Sequence, residues 1–186
     1  YYTIAAADNE TADSRTAKIV IKGEKGDLNF NLLIKQKPAT LIIEDESKTE
    51  IKAVSFGYEA HSQIFYAYTS VKDFEIECPD SWITVTKKTN KSFFVAVPEN
   101  KTTEIRNSTI TIKAGNELKA TLKVSQEAGG VWIDGSIDGS HTKNIDREAH
   151  TFNYTVSGNL PYEIKSNADW CSVYQNGNSF SVIISN

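Results

Sequence analysis

Apolar residues along this chain recur mostly at every second position, not at the 3.6-residue spacing of a helix. Ile64, Tyr66 and Tyr68 form one such set, and Phe152, Tyr154 and Val156 another. Phe93, Val95 and Val97 are echoed by Phe180, Val182 and Ile184, and again by Tyr2, Ile4 and Ala6. Ile110 and Ile112 are matched by Ile19 and Ile21, and Leu118, Ala120, Leu122 and Val124 by Leu28, Phe30, Leu32 and Ile34. These runs are rich in β-branched and aromatic residues, which suit a pleated, half-buried surface. Turn-forming clusters punctuate them: Gly23-Glu24-Lys25-Gly26, Ala114-Gly115-Asn116, Ser157-Gly158-Asn159 and Asn176-Gly177-Asn178. No stretch carries a helical face. Short strands with turns between them predict an all-β, antiparallel β-sandwich architecture.

The pattern also repeats at long range. Phe74-Glu75-Ile76 and Trp82-Ile83-Thr84-Val85 return 88 positions later as Tyr162-Glu163-Ile164 and Trp170-Cys171-Ser172-Val173. The series Asn100, Arg106, Ile110, Ile112, Leu122, Gln126 has its counterpart in Asn9, Arg15, Ile19, Ile21, Leu32, Gln36. A fixed period means copies of one small domain in series. Residues 39–128 make one complete copy, 1–38 the back half of another, and 131–186 the front part of a third. The joints are Gln36-Lys37-Pro38-Ala39 and Gln126-Glu127-Ala128-Gly129-Gly130, short and polar. Strands are expected near 2–6, 17–22 and 28–35 in the first piece. Neither end piece is expected to close a two-sheet core by itself. With no methionine in the sequence, the expectation is an internal segment of a longer tandem array, with domain swapping as the alternative.

Tandem copies help to assign faces. Aligned at the 88-residue shift, Phe65 falls opposite Asn153, which predicts that Phe65 faces water and that Tyr66 and Tyr68 face the core. Phe94 corresponds to Ser181 and Thr3 and is likewise expected outside. Trp82 and Trp170 recur directly before a strand, which suggests a packing anchor, with a ligand platform as the other reading. Cys78 and Cys171 lie at non-equivalent places, opposite Ser166 and Ile83, so unpaired thiols are expected, Cys171 acting as a small hydrophobe.

Asp80-Ser81-Trp82-Ile83-Thr84-Val85, the run Phe93 to Asn100, Arg106, Ile110-Thr111-Ile112-Lys113-Ala114-Gly115 and the closing Val124-Ser125-Gln126-Glu127-Ala128 together resemble the BACON domain. Asn167-Ala168-Asp169-Trp170 carries the same signature in the last copy, and Asn9, Arg15 to Lys22 and Ile34-Lys35-Gln36-Lys37 in the first. The resemblance implies tandem immunoglobulin-like sandwiches from an extracellular or cell-surface protein of the Bacteroidetes, often a lipoprotein or glycan-utilisation component. It implies either a spacer or a carbohydrate- or mucin-binding role. It supplies packing and turn motifs but no ligand motif to carry over.

Composition narrows the partners. A net charge of −4 disfavours nucleic acid and anionic membrane surfaces, which require clustered Lys and Arg. No apolar run approaches the roughly 18 residues of a membrane span. His61, His141 and His150 form no metal-binding motif, no Gly-x-Ser-x-Gly elbow or phosphate-binding glycine loop occurs, and no carboxylate pair stands out for glycoside chemistry. The expectation is a non-catalytic chain with no cofactor and no metal. Asp134-Gly135-Ser136-Ile137-Asp138-Gly139 resembles the start of a calcium loop, but Ile145 stands where the distal Glu would be. Asp and Gly also favour ordinary turns. Five Asn-x-Ser/Thr triplets, at Asn9, Asn90, Asn100, Asn107 and Asn153, fit an Asn- and Thr-rich composition.

Outward aromatic rings are the remaining binding chemistry, since a ring can cover a sugar face while polar neighbours take its hydroxyls. The candidates are Phe65, Phe94, Trp132 and Tyr174, although Trp132, between Val131 and Ile133, fits equally well as a seal at a joint. Two classes remain. One is a spacer or scaffold whose partners are the adjacent domains of the same polypeptide. The other is an adhesion module for surface glycans or other surface proteins, using repetition for avidity. Two or more aromatics on one exposed face would favour adhesion; rigid joints would favour the spacer.

Overall fold

The alternating segments form fourteen strands in the computed structural model, which describes residues 3–22, 29–134 and 142–185. In order they are β1 (Arg15–Lys22), β2 (Asn29–Gln36), β3 (Leu41–Glu44), β4 (Ala53–Phe56), β5 (His61–Thr69), β6 (Glu75–Glu77) and β7 (Thr84–Thr89), followed by β8 (Ser92–Val97), β9 (Arg106–Ala114), β10 (Leu118–Gln126), β11 (Val131–Ile133), β12 (His150–Gly158), β13 (Cys171–Asn176) and β14 (Ser179–Ile184). No helix occurs among the described residues. The chain divides into two compact units. One comprises residues 1–56, 60–98 and 107–125, the other residues 57–59, 99–106 and 126–186.

In the first unit, one sheet has the order β3-β5-β8-β7 and its partner β4-β10-β9-β6. The first sheet contributes Ile43, Phe65, Ala67, Phe93, Val95 and Val97 to the core, and the second Ile110, Ile112, Leu122 and Val124. Burial alternates along β9 and β10, as expected of strands with one face on a core. The Phe65 and Phe93 rings stack with centroids 5.7 Å apart, and Phe74 meets Phe93 edge-on at 6.2 Å. Trp82 is half-buried and packs against this cluster, in keeping with an anchor.

The same unit contains the hairpin β1–β2, paired in register from Arg15↔Gln36 to Lys22↔Asn29. It corresponds to β9–β10, yet Ile21, Phe30 and Leu32 are exposed where Ile112 and Leu122 are buried, because no second sheet faces the hairpin among the described residues. The strand expected near 2–6 is absent from its described part, residues 3–6. Its counterpart β8 lies hydrogen-bonded between β5 and β7, and residues 3–6 have no such neighbours.

In the second unit, β11-β12-β14-β13 reproduces the strand order of β3-β5-β8-β7. Tyr154 stacks on Phe180 at 5.1 Å, as Phe65 does on Phe93. Trp170 is exposed here, without the cover that Trp82 receives. Cys78 and Cys171 are free and half-buried.

That equivalence corrects the face assigned to β5. Phe65 pairs with Phe93 and Tyr154 with Phe180, so Phe65 corresponds to Tyr154 and not to Asn153. The true shift is one residue longer than the one applied from Trp82 and Trp170, and a slip of one residue exchanges the faces of a strand. Phe65 is 0% exposed, whereas Tyr66 and Tyr68 are 37% and 63% exposed.

A polar lock recurs with the period. Asn9 Nδ2 donates to the carbonyls of Asp13 and Lys37, both at 2.8 Å, and its Oδ1 accepts from the Thr11 hydroxyl at 2.8 Å. Asn100 Nδ2 donates to Glu104 O (2.9 Å) and Glu127 O (2.8 Å), and its Oδ1 accepts from the Thr102 hydroxyl at 2.8 Å. The Ala39 amide then donates to Thr11 O, and the Gly129 amide to Thr102 O, each at 2.8 Å. An arginine completes each lock: Arg15 Nε donates to Gln36 Oε1 (2.6 Å), and Arg106 Nε to Gln126 Oε1 (2.9 Å). Burial lowers the Arg106 pKa, without bringing an arginine near neutrality.

Gly158, which ends β12, has φ of +131°, and a Cβ there would overlap the Gly130 carbonyl and lie 2.8 Å from the Trp132 ring. Gly158→Ala is therefore expected to destabilise the β11–β12 pairing by about 2 kcal/mol or more. Hydrogen exchange of the Val131–Ile133 amides measures it, and unchanged protection would disprove the conflict.

Candidate ligand-binding face

With Phe65 and Ala67 pointing into the core, alternation sends Tyr66 and Tyr68 to the outer face of β3-β5-β8-β7. Cross-strand register sets Glu44 beside Tyr66, Ile42 beside Tyr68 and Phe94 beside Ile64. Phe94 is half-buried on this face, with the Lys88 ammonium 4.7 Å from its ring centroid. Next to the tyrosines lies a groove of about 370 Å³, lined by Glu44, Glu46, Lys48, Tyr66, Tyr68 and Lys91 among others. Among the described residues, none of the Glu44, Glu46, Lys48 and Lys91 side chains forms an ion pair or hydrogen bond.

One wall of the groove is shaped by the turn after β3. The Asp45 carboxylate accepts from the Ser47 hydroxyl (2.6 Å), the Ser47 amide (2.9 Å) and the Thr49 amide (3.1 Å). Lys48 takes a left-handed conformation, φ 61°. The bonds from Ser47 and Thr49 hold the Asp45 pKa below the usual carboxylate range. A lowered folded-state pKa gives stabilisation that is complete above the unfolded value, about 4, and is lost as pH falls through the folded value. The Ser47 and Thr49 amides should therefore lose hydrogen-exchange protection below about pH 4, ahead of global unfolding. Asp45→Asn should remove most of that acid sensitivity, and an unaltered pH profile in the variant would refute the assignment.

The four aromatics expected to face solvent do not converge. Phe65 is a core residue, and its assignment as an exposed platform is wrong for the register reason above. Phe94 is on the outer face as expected. Trp132 is half-buried and stacks on Tyr58, centroids 5.1 Å apart, so one of its faces is occupied. Tyr174 is 66% exposed on β13, opposite Ser181, with no ring neighbour among the described residues. Tyr66 and Tyr68 were missed, although polarity held a signal: of the two alternating sets on β5, Phe65 and Ala67 are the better core pair, since tyrosine retains a polar tip.

The possible calcium loop lies largely outside the described residues, which omit Gly135 to His141. Asp134 is described, and its Oδ1 accepts from the Thr155 amide (2.8 Å) and hydroxyl (3.0 Å). Among the described residues no group of three or more His, Cys, Asp or Glu side chains is arranged to hold a metal ion. His150 Nε2 lies 2.6 Å from Asp146 Oδ1, an isolated pair that lowers the Asp146 pKa. No helix among the described residues is long and apolar enough to cross a membrane.

An all-β chain of antiparallel sheets, two of them packed as a sandwich with an aromatic outer face and its strand order repeated further along the chain, defines a class of modular domain. Residues 1–37 and 72–127 match the family model for BACON, "Putative binding domain, N-terminal", and residues 136–184 match that of the viral BACON domain. The chain belongs to the BACON family. No curated protein matches it. Among solved structures it is similar to a Bacteroides ovatus GH5 xyloglucanase in complex with a XXXG heptasaccharide, at 18% identity and TM-score 0.40, covering 47% of this chain and 19% of that one. A protein from Bacteroides thetaiotaomicron is similar at 20% identity and TM-score 0.39, covering 50% of this chain and 89% of that one. An I-band fragment of titin is similar at 10% identity and TM-score 0.40, with 94% and 65% covered.

Proposed function

We propose that this chain is a non-catalytic module of a cell-surface protein, a tandem array that spaces or scaffolds other parts of a longer polypeptide, with repeats bounded at 1–38, 39–128 and 131–186. The observation that carries this reading is the recurring polar lock. At each boundary a buried asparagine ties the incoming and outgoing backbone together, and a threonine carbonyl accepts the amide of a residue just beyond the repeat, Ala39 at the first boundary and Gly129 at the second. A joint held by backbone hydrogen bonds loses the freedom of a flexible linker, and a spacer requires that stiffness. The first joint is tested by spin labels at Asn31→Cys and Lys88→Cys, in a chain with Cys78 and Cys171 replaced by serine. A single narrow distance distribution supports the spacer. A distribution as broad as that of a flexible tether sinks it.

A second reading, glycan adhesion, is favoured by a separate observation. Tyr66, Tyr68 and Phe94 share one outer sheet face, the arrangement that distinguishes an adhesion surface from a featureless one. The two readings are compatible, since a stiff array can also present a binding face.

A further inference from the structure

Tyr66 and Tyr68 occupy alternate positions on β5, so their rings stand in a row along the strand, on the same side as the groove beside the β3 turn. Exposure leaves ring surface free on both, most of all on Tyr68. Two carboxylates, Glu44 and Glu46, and two ammonium groups, Lys48 and Lys91, line the groove with no partners among the described residues. The carboxylates accept hydrogen bonds and the ammoniums donate them. Their charges cancel at neutral pH, so the groove gives a polyanion or a polycation no net attraction. A row of flat apolar faces flanked by acceptors and donors of zero net charge is the complement of a chain of uncharged sugar rings, whose C–H faces stack on aromatics and whose edges carry hydroxyls.

We propose that the outer face of β5, with the adjoining groove lined by Glu44, Glu46, Lys48 and Lys91, is a binding site for an uncharged oligosaccharide, with Tyr66 and Tyr68 stacking on successive sugar rings. The proposal rests on the adhesion reading and gives that reading a place and a ligand class. Tyr68 is the principal contact because more of its ring is free. With two tyrosine rings as its main stacking contacts, the site is expected to bind with a dissociation constant in the millimolar range, about −4 kcal/mol, and useful retention on a surface would come from several copies acting together.

The test uses the whole chain, isotopically labelled, titrated by NMR with cellohexaose, mannohexaose and xyloglucan oligosaccharides as neutral probes and a heparin hexasaccharide as the anionic one. The expected result is millimolar binding of at least one neutral probe, with shifts at the amides of Glu46, Lys48, Tyr68, Thr69 and Lys91. Binding should change less than about twofold in 0.5 M NaCl, because screening acts on net charge. Tyr68→Ala should weaken it by about tenfold or more, equivalent to about 1.4 kcal/mol. Tyr68→Phe should retain most of it, and Tyr174→Ala should leave it unchanged. A melting temperature equal to the parent's shows that each variant is folded. Binding of a neutral probe that Tyr66→Ala and Tyr68→Ala both leave intact would overturn the site while sparing the adhesion reading. No binding of any neutral probe at 10 mM would overturn both. Binding of heparin alone, abolished by salt, would overturn the ligand class.

Discussion

Replacing Phe65 by alanine is expected to destabilise the sandwich formed by β3 to β10 by about 3–5 kcal/mol, the range for removing a fully buried aromatic side chain. Phe65 is 0% exposed, stacks on Phe93 and sits on the central strand of its sheet, between β3 and β8. The cavity would open against Phe93 and the neighbouring core from the opposite sheet. Those side chains belong to paired strands and cannot close it without moving the ladder, so the cost should fall in the upper part of the range. Tyr66→Ala, one residue away, removes a side chain that is already partly in water. It should cost less than half as much. Urea unfolding of the parent and both variants decides the matter. Equal losses for the two variants, or a larger loss for Tyr66→Ala, would mean that β5 sits in the opposite register.

The contrast also shows how far the sequence reaches. Alternation identified β1, β2, β5, β8, β9, β10, β12 and β14 but also suggested a strand near 2–6 that the described residues 3–6 do not form, and recurrence of Trp82 at Trp170 and of Asn9, Arg15 and Gln36 at Asn100, Arg106 and Gln126 pointed to the tandem order. What the repeat could not supply was its own local gaps. β12 and β14 are closer in sequence than β5 and β8: Tyr66 pairs with Ser92, but the corresponding Thr155 pairs with Ser179. One shift therefore cannot serve both strands. Applied unchanged to β5, it placed Phe65 outside and hid Tyr66 and Tyr68 inside. An error of one residue is invisible in hydrophobic content and total in its effect on a face. The candidate site was lost through that slip, while Phe94, on a strand aligned with the correct gap, was placed correctly.

The polar lock was legible only as letters. Recurrence of Asn, Arg and Gln at matched positions marked them as special, but nothing in a linear spacing says that Asn100 reaches both Glu104 and Glu127. That second contact depends on β10 returning the chain to the end where β9 began, which is a consequence of the hairpin and not of any local motif. The exposure of Trp170 was harder still, because it depends on which sheet covers the start of β13, and pattern alone reports only which side would be covered; Tyr174 is exposed, as expected.

Asn100→Ala is expected to cost roughly 2–4 kcal/mol, more than a typical single hydrogen bond, because it leaves several buried groups without partners. The side chain is fully buried and uses its whole capacity. Both Nδ2 protons are donated, to Glu104 O and Glu127 O, and Oδ1 accepts from the amide and the hydroxyl of Thr102 at 3.2 and 2.8 Å. Alanine strands two carbonyls and a threonine at a site with no room for a new partner unless water enters. Asn100→Asp is the sharper probe. It keeps the acceptor towards Thr102 but replaces the donors with negative charge facing two carbonyl oxygens. Burial and those dipoles would raise the folded-state pKa of the introduced carboxyl above its unfolded value, about 4. Its destabilisation should thus be largest at neutral pH and diminish as pH falls through the raised value, where the protonated acid donates to one of the two carbonyls. Urea unfolding at pH 7 and pH 5, referenced to the parent at each pH, reads this directly. Asn9→Ala breaks the equivalent network around the β1–β2 hairpin and should leave the main unfolding transition nearly unchanged. A destabilisation by Asn100→Asp that is independent of pH, or one no larger than that of Asn9→Ala, would show that the lock does not hold the sandwich closed.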